Sequence, residues 1–180
     1  TGDDLYEMSG PNIIPYLGTQ EFNYAILKEF GMDDMHQAKI KSEFDGLLEA
    51  GLGSSAAAAV ALIGAINKLK KLNYSLHDIA EKAWDIEVNK MELFGGKQDQ
   101  FVSAFGGVNV IFFEKNVRVH QMDKEFISFL IPSLVLFYVG ENRKLAKIQE
   151  NFKDLTIGQV EALNKIKQTA EKALDFIDIR

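Results

Sequence analysis

The stretch Gly51-Leu52-Gly53-Ser54-Ser55-Ala56 has the residue types best suited to chemistry in this chain. It runs directly into Ser55 to Leu69, which is apolar almost throughout and predicts a helix. The first turn of a helix has N–H groups without intrahelical partners, and its dipole favours an anion. Glycine lets the backbone approach that anion with no Cβ in the way. Ser54 and Ser55 add hydroxyl donors, and a serine oxygen there can also ligate Mg²⁺. Such a terminus suits a di- or triphosphate. It is not a Walker loop, because the Gly-Lys-Ser/Thr ending is missing. The bland alternative is a turn at Gly51 and Gly53 with Ser54 or Ser55 as a helix cap. The apolar character of the following helix favours the phosphate site, because it predicts a terminus set inside the fold.

Two carboxylates stand out further along. On a helix of about 100° per residue, Leu76, Ala80, Ala83 and Glu87 share one side, flanked by Ile79 and Met91. Asp78, Glu81 and Asp85 point the other way. Glu87 therefore falls in the middle of an apolar face. A carboxylate so placed must be paired, hydrogen-bonded or metal-bound. Binding Mg²⁺ beside phosphate oxygens is one solution, and a buried ion pair with a Lys or Arg is the other. Asp99 lies in Gly95-Gly96-Lys97-Gln98-Asp99-Gln100, at the start of a short helix. It is either an acidic residue favoured by the helix dipole or a catalytic base. Lys97, two residues earlier, would keep it ionised.

The elements that must position these residues read as follows. Thr1 to Gln20 is an irregular loop or the remains of strands. Glu21 to Phe30 predicts a helix stopped by Gly31, and Ala38 to Phe44 alternates like a strand. After the Ser55–Leu69 helix, Ser75 and Asp78 form a capping-box start for a helix running to about Lys90. A short helix spans Gln98 to Phe105, closed by Gly106-Gly107. Val108 to Phe113 and Val117 to Gln121 predict a hairpin. Leu134 to Val139 fits a strand buried on both faces. Thr156 to Ile177 is amphipathic, with Val160, Leu163, Ile166, Ala170, Ala173 and Ile177 on one stripe. The mix is α+β, with no repeat and no low-complexity segment.

Composition narrows the function. The 180 residues are 47% hydrophobic and 26% charged, enough for a packed core. A net charge of −6 argues against a nucleic-acid surface. With no cysteine, thiol catalysis, disulfides and Cys-based zinc sites are excluded. His36, His77 and His120 lack metal-ligand spacing. The longest apolar run, Ala56 to Ile66, is too short to span a bilayer, and the polar start shows no signal peptide, so a cytoplasmic protein is expected.

Taken together the three sites resemble the GHMP kinase family, named for galactokinase, homoserine kinase, mevalonate kinase and phosphomevalonate kinase. The family's phosphate loop, Gly-Leu-Gly/Ser-Ser-Ser-Ala, is similar to Gly51–Ala56. The Asp-Gln pair of its galactokinase branch is similar to Asp99-Gln100, and Glu87 precedes Asp99 by about the family's dozen residues. Gly96-Lys97-Gln98-Asp99-Gln100-Phe101 and Ala104-Phe105-Gly106-Gly107-Val108-Asn109 look most like the heptose-7-phosphate and fucose type of sugar kinase. Val139-Gly140-Glu141-Asn142-Arg143 is similar to that branch's Gly-x-x-Arg turn.

The resemblance implies that Gly51, Leu52, Gly53, Ser54, Ser55 and Ala56 wrap the phosphates of ATP. It implies that Ser55, or Ser54, binds Mg²⁺ with Glu87, that Asp99 orients or deprotonates the acceptor hydroxyl, and that Gln100 and Arg143 contact substrate. The implied function is phosphate transfer to a sugar or sugar phosphate, with a nucleotide- or sugar-binding module or an inactive fragment, either lacking turnover, as the alternative. The implied partners are nucleotide and sugar, with no nucleic acid or membrane, and a homodimer is admitted. The implied fold is an α+β ribosomal protein S5 domain 2-like domain over residues 1–130, then the start of a ferredoxin-like domain over 131–180. The family's opening Pro-x-Arg motif, the proline leading into the phosphate loop and the closing Gly-x-Gly-Gly-Gly loop have no counterpart here. The sequence therefore looks like a core segment of a kinase.

Overall fold

The computed structural model describes residues 6–9, 17–32, 40–43, 51–93, 95–137, 155–175 and 177. They belong to two compact units, residues 1–141 and 142–180. The first unit opens with strand β1 (Tyr6–Ser9), helix α1 (Leu17–Glu29) and strand β2 (Ile40–Glu43). β1 and β2 pair in parallel, Tyr6 opposite Ile40 and Ser9 opposite Glu43. A parallel pair needs a crossover, and α1 lies within it. The ambiguous start of the chain thus supplies a strand, and the expected second strand lies within Ala38–Phe44.

Helix α2 (Ser54–Lys70) follows the glycine loop, then α3 (Leu76–Asp85). Ser75 and Asp78 form a reciprocal capping box, with Asp78 N–H donating to Ser75 Oγ at 3.2 Å and Ser75 N–H to the Asp78 carboxylate at 2.9 Å. Asn67 pins the connection between the two helices. Its Nδ2 donates to the Tyr74 carbonyl at 3.0 Å, and its Oδ1 accepts from Tyr74 N–H at 2.9 Å. The expected single helix to Lys90 instead ends in a π-helical turn, Ile86–Lys90, closed by Met91 N–H on the Ile86 carbonyl at 3.0 Å.

Helix α4 (Gln98–Phe105) leads into an antiparallel hairpin, β3 (Asn109–Phe112) and β4 (Arg118–Gln121). Helix α5 (Lys124–Leu130) was not foreseen. Asp123 caps it by accepting from Phe126 N–H at 2.7 Å, and a 3₁₀ turn, Ile131–Ser133, extends it. In the second unit, Thr156 and Gln159 form a capping box at the start of helix α6 (Ile157–Leu174).

α3 is the wall between two cores. On one side Ile79 and Ala83, with Ile86 of the π turn, meet Phe22, Ile26 and Leu27 of α1 and Ala59, Ile63 and Ile66 of α2. On the other, Ala80 meets Phe101 of α4 and Val117 beside the hairpin. Each fully buried isoleucine contributes roughly 2–3 kcal/mol of apolar burial.

Two expectations fail here. Leu134–Val139 is not a buried strand over its described part: residues 134–137 are irregular, and Phe137 is 81% exposed. An apolar run alone does not make a strand, and among the described residues none forms a ladder with 134–137. The α2 helix is likewise not buried all round. It buries Ala56, Ala59, Ile63 and Ile66, while Ser55, Ala61, Ala65 and Leu69 are exposed. Its N-terminus lies at the surface, with Gly51 and Leu52 exposed. Alanine faces solvent at little cost, which is how so apolar a helix presents an open side. Among the described residues no helix is long and apolar enough to cross a membrane.

Candidate active site

Gly51 and Gly53 both adopt the left-handed conformation, with φ of 73° and 71°. Gly53 is the N-cap of α2, so no side chain caps the first turn. Its carbonyl accepts the first helical bond, from Ala57 N–H at 3.0 Å. The loop therefore ends at N–H groups of Ser54, Ser55 and Ala56 that have no i→i−4 partner within the helix. Ser54 is half-buried, Ser55 exposed and Ala56 buried.

Asp99 closes on this loop from the first turn of α4. A Cβ built on Gly53 would stand 3.3 Å from Asp99 Cγ and 3.4 Å from its Oδ2. The glycine is thus needed twice, for its backbone conformation and for the room it leaves the carboxylate. Forty-six residues separate the two in sequence. α4 packs against both α2 and α3, which fixes this approach.

Glu87 sits half-buried in the π turn. Gln100, only 3% exposed, donates from Nε2 to Glu87 Oε2 at 2.5 Å. The other side-chain atom of Gln100, Oε1, is buried with no hydrogen-bond partner among the described residues. Burial pushes the Glu87 carboxyl above its ordinary value. The Gln100 hydrogen bond opposes that rise, and the negative charge of Asp99 adds to it. The sequence reading of Glu87 as a carboxylate aimed inward is therefore sound. Of its two explanations, no Lys or Arg pairs with it among the described residues. A π turn inserts one extra residue and redirects the side chains after it, a device frequent at functional sites.

Lys97 makes its ion pair with Glu81. Its Nζ lies 2.6 and 2.8 Å from the two carboxylate oxygens of Glu81 on α3. Arg143 and the Val139–Arg143 turn lie outside the described residues. Among the described residues no group of three or more His, Asp or Glu side chains is arranged to hold a metal.

Residues 20–107 match the family model described as the GHMP kinases N terminal domain. This stretch is a GHMP kinase N-terminal domain. The chain is 31% identical over 128 residues to the D-glycero-alpha-D-manno-heptose 7-phosphate kinase of Campylobacter jejuni, an overlap covering 68% of this chain and 38% of that protein. It is 36% identical over 135 residues to the mevalonate kinase of Pyrococcus furiosus, covering 71% and 37%. Among solved structures, a D-glycero-D-manno-heptose 1-phosphate kinase from Bacteriodes thetaiotaomicron matches with a TM-score of 0.52 at 23% identity, over 70% of this chain and 47% of that chain. That last likeness is one of fold. The chain spans less than half the length of the curated relatives it matches.

Within this GHMP domain, α2, the π turn and α4 bring Gly53, Glu87, Asp99 and Gln100 into one neighbourhood. Two features escaped the sequence. The Gln100–Glu87 bond joins residues thirteen apart through a turn that has no sequence period. The Glu81–Lys97 pair left a faint signal, since Glu81 falls on the polar side of α3 and Lys97 follows a Gly-Gly pair.

Proposed function

We propose that this domain belongs to an ATP- and Mg²⁺-dependent kinase that transfers the γ-phosphate to a hydroxyl of a sugar or sugar phosphate. A heptose 7-phosphate is the favoured acceptor, from the Campylobacter jejuni relative and the Asp99-Gln100 pair. The observation that carries the reading is the Asp99 carboxylate set against Gly53 at the open N-terminus of α2. An anion receptor and a candidate base are then neighbours, which in-line phosphoryl transfer requires.

In this reading the backbone of Gly51–Ala56 holds the β- and γ-phosphates, with Ser54 and Ser55 adding hydroxyl donors. Asp99 orients the acceptor hydroxyl and takes its proton as the acceptor oxygen bonds to the γ-phosphorus and the bond to ADP breaks. Gln100 holds Glu87 in place, and Arg143 contacts the sugar or its phosphate. The donor set suits a divalent cation: the negative charge of Asp99 disfavours ionisation of the half-buried Glu87, and a serine oxygen lies in the loop. Mg²⁺ held by Glu87 and Ser55 would neutralise phosphate charge. The same reading assigns residues 1–130 to an S5 domain 2-like nucleotide-binding domain and 131–180 to the start of the second family domain.

The test is phosphorus NMR of ATP with heptose 7-phosphate, comparing wild type with Asp99→Ala. Transfer should fall by about 10²–10⁴-fold in the variant while nucleotide binding persists. Undiminished transfer would remove Asp99 from the chemistry. Nucleotide binding without transfer by the wild type, over a panel of sugars, would leave a binding module instead.

A further inference from the structure

Lys97 is committed to α3 at two levels. Its ammonium is chelated by both oxygens of Glu81 and lies 4.3 Å from the centre of the Trp84 ring. Trp84, the chain's single tryptophan, donates its indole N–H to the Gly95 carbonyl at 3.3 Å. Glu81 and Trp84 are three residues apart on α3 and so share a face. α3 therefore grips the approach to α4 twice, at the Gly95 backbone and at the Lys97 side chain.

What lies immediately beyond is the site. The Lys97 carbonyl accepts the first helical bond of α4, from Phe101 N–H at 3.2 Å. Asp99 and Gln100 stand on that first turn. An exposed ion pair would restrain little. This one is chelated, only about three-tenths exposed, and stacked on an indole, which strengthens its hold.

We propose that Glu81, Trp84 and Lys97 act as positioning residues: together they fix the approach to α4 and so hold Asp99 against Gly53. The geometric part stands on these contacts alone, and the consequence for turnover rests on the kinase reading.

Lys97→Met, Glu81→Gln and Lys97→Arg variants of the full chain are compared with wild type by amide hydrogen exchange, Trp84 emission and kinetics with Mg·ATP and heptose 7-phosphate. Lys97→Met and Glu81→Gln should speed exchange at Phe101 and the later α4 amides about tenfold, leaving α1 and the hairpin unchanged. Both should shift Trp84 emission, and Lys97→Arg should restore both readouts, since guanidinium also pairs and stacks. In the loosened variants kcat should fall about tenfold or more with KM for ATP within about twofold. Unchanged α4 exchange in Lys97→Met, or loosening spread over the whole chain, overturns the clamp. Loosened α4 with unchanged kcat overturns its role in positioning. A wild type without transfer counts against the kinase reading, and the exchange pattern then still decides the clamp.

Discussion

The Glu87 carboxyl is half-buried in the π turn, beside the charge of Asp99, with one hydrogen bond from Gln100. Its folded value lies above its unfolded one. Such a group favours folding at low pH, and that contribution is lost as pH rises through the folded value. Glu87→Gln removes this penalty. The free chain should therefore unfold at a higher temperature than wild type at pH 8, and the difference should shrink towards pH 4. The same substitution should weaken Mg·ATP binding, so stability and binding move in opposite directions. Gly53→Ala tests the other side of the site. Its φ of 71° strains any L side chain, and its Cβ would press on Asp99 Cγ at 3.3 Å. A loss of about 1–2 kcal/mol in thermal unfolding is expected. Transfer should fall further than nucleotide binding, because Asp99 is the group displaced.

At the scale of elements, α3 and its π turn carry most of the architecture, and their constraints are measurable one by one. Ser75→Ala removes the cap of α3 and should cost about 1 kcal/mol in urea unfolding. Glu29, at the end of α1, is bridged by Lys90 of the π turn at 2.7 Å and by Lys82 of α3 at 3.1 Å. The Lys90 hydrogen bond, aided by Lys82 and resisted by partial burial, holds the Glu29 carboxyl below its usual value. A depressed carboxylate stabilises the fold above its unfolded value and loses that as pH falls through the folded one. Glu29→Gln should therefore cost about 0.5–1 kcal/mol at neutral pH and close the gap to wild type in acid.

These elements also show what a sequence can disclose. The capping box, the α2 and α4 helices and the hairpin rest on local chemistry and periodicity, so their residue types announced them. The π turn at Ile86–Lys90 and the pairing of β1 with β2 depend on what packs alongside, which no local window contains. Leu134–Phe137 misled for the converse reason: its apolar character is local, but a strand needs a partner.

For the whole molecule, the site was legible as residue types and spacing, and the meeting of its parts was not. Glu87 stood out singly because a carboxylate on an apolar face breaks a local rule, whereas Gly51–Ala56 and Asp99 gained weight only in combination with it. Their convergence depends on α4 packing against both α2 and α3, and Lys97 went to Glu81 because α3 offered two oxygens and an indole face. The central claim is that this convergence forms a nucleotide-phosphate site. Calorimetric titration of Mg·ATP into the 180-residue chain tests it most directly, with Glu87→Ala and Ser55→Ala alongside. Saturable binding that weakens about tenfold or more in both variants is the predicted result. Binding of equal strength in all three would contradict the claim, because the nucleotide would then sit elsewhere, and so would no binding to the wild type.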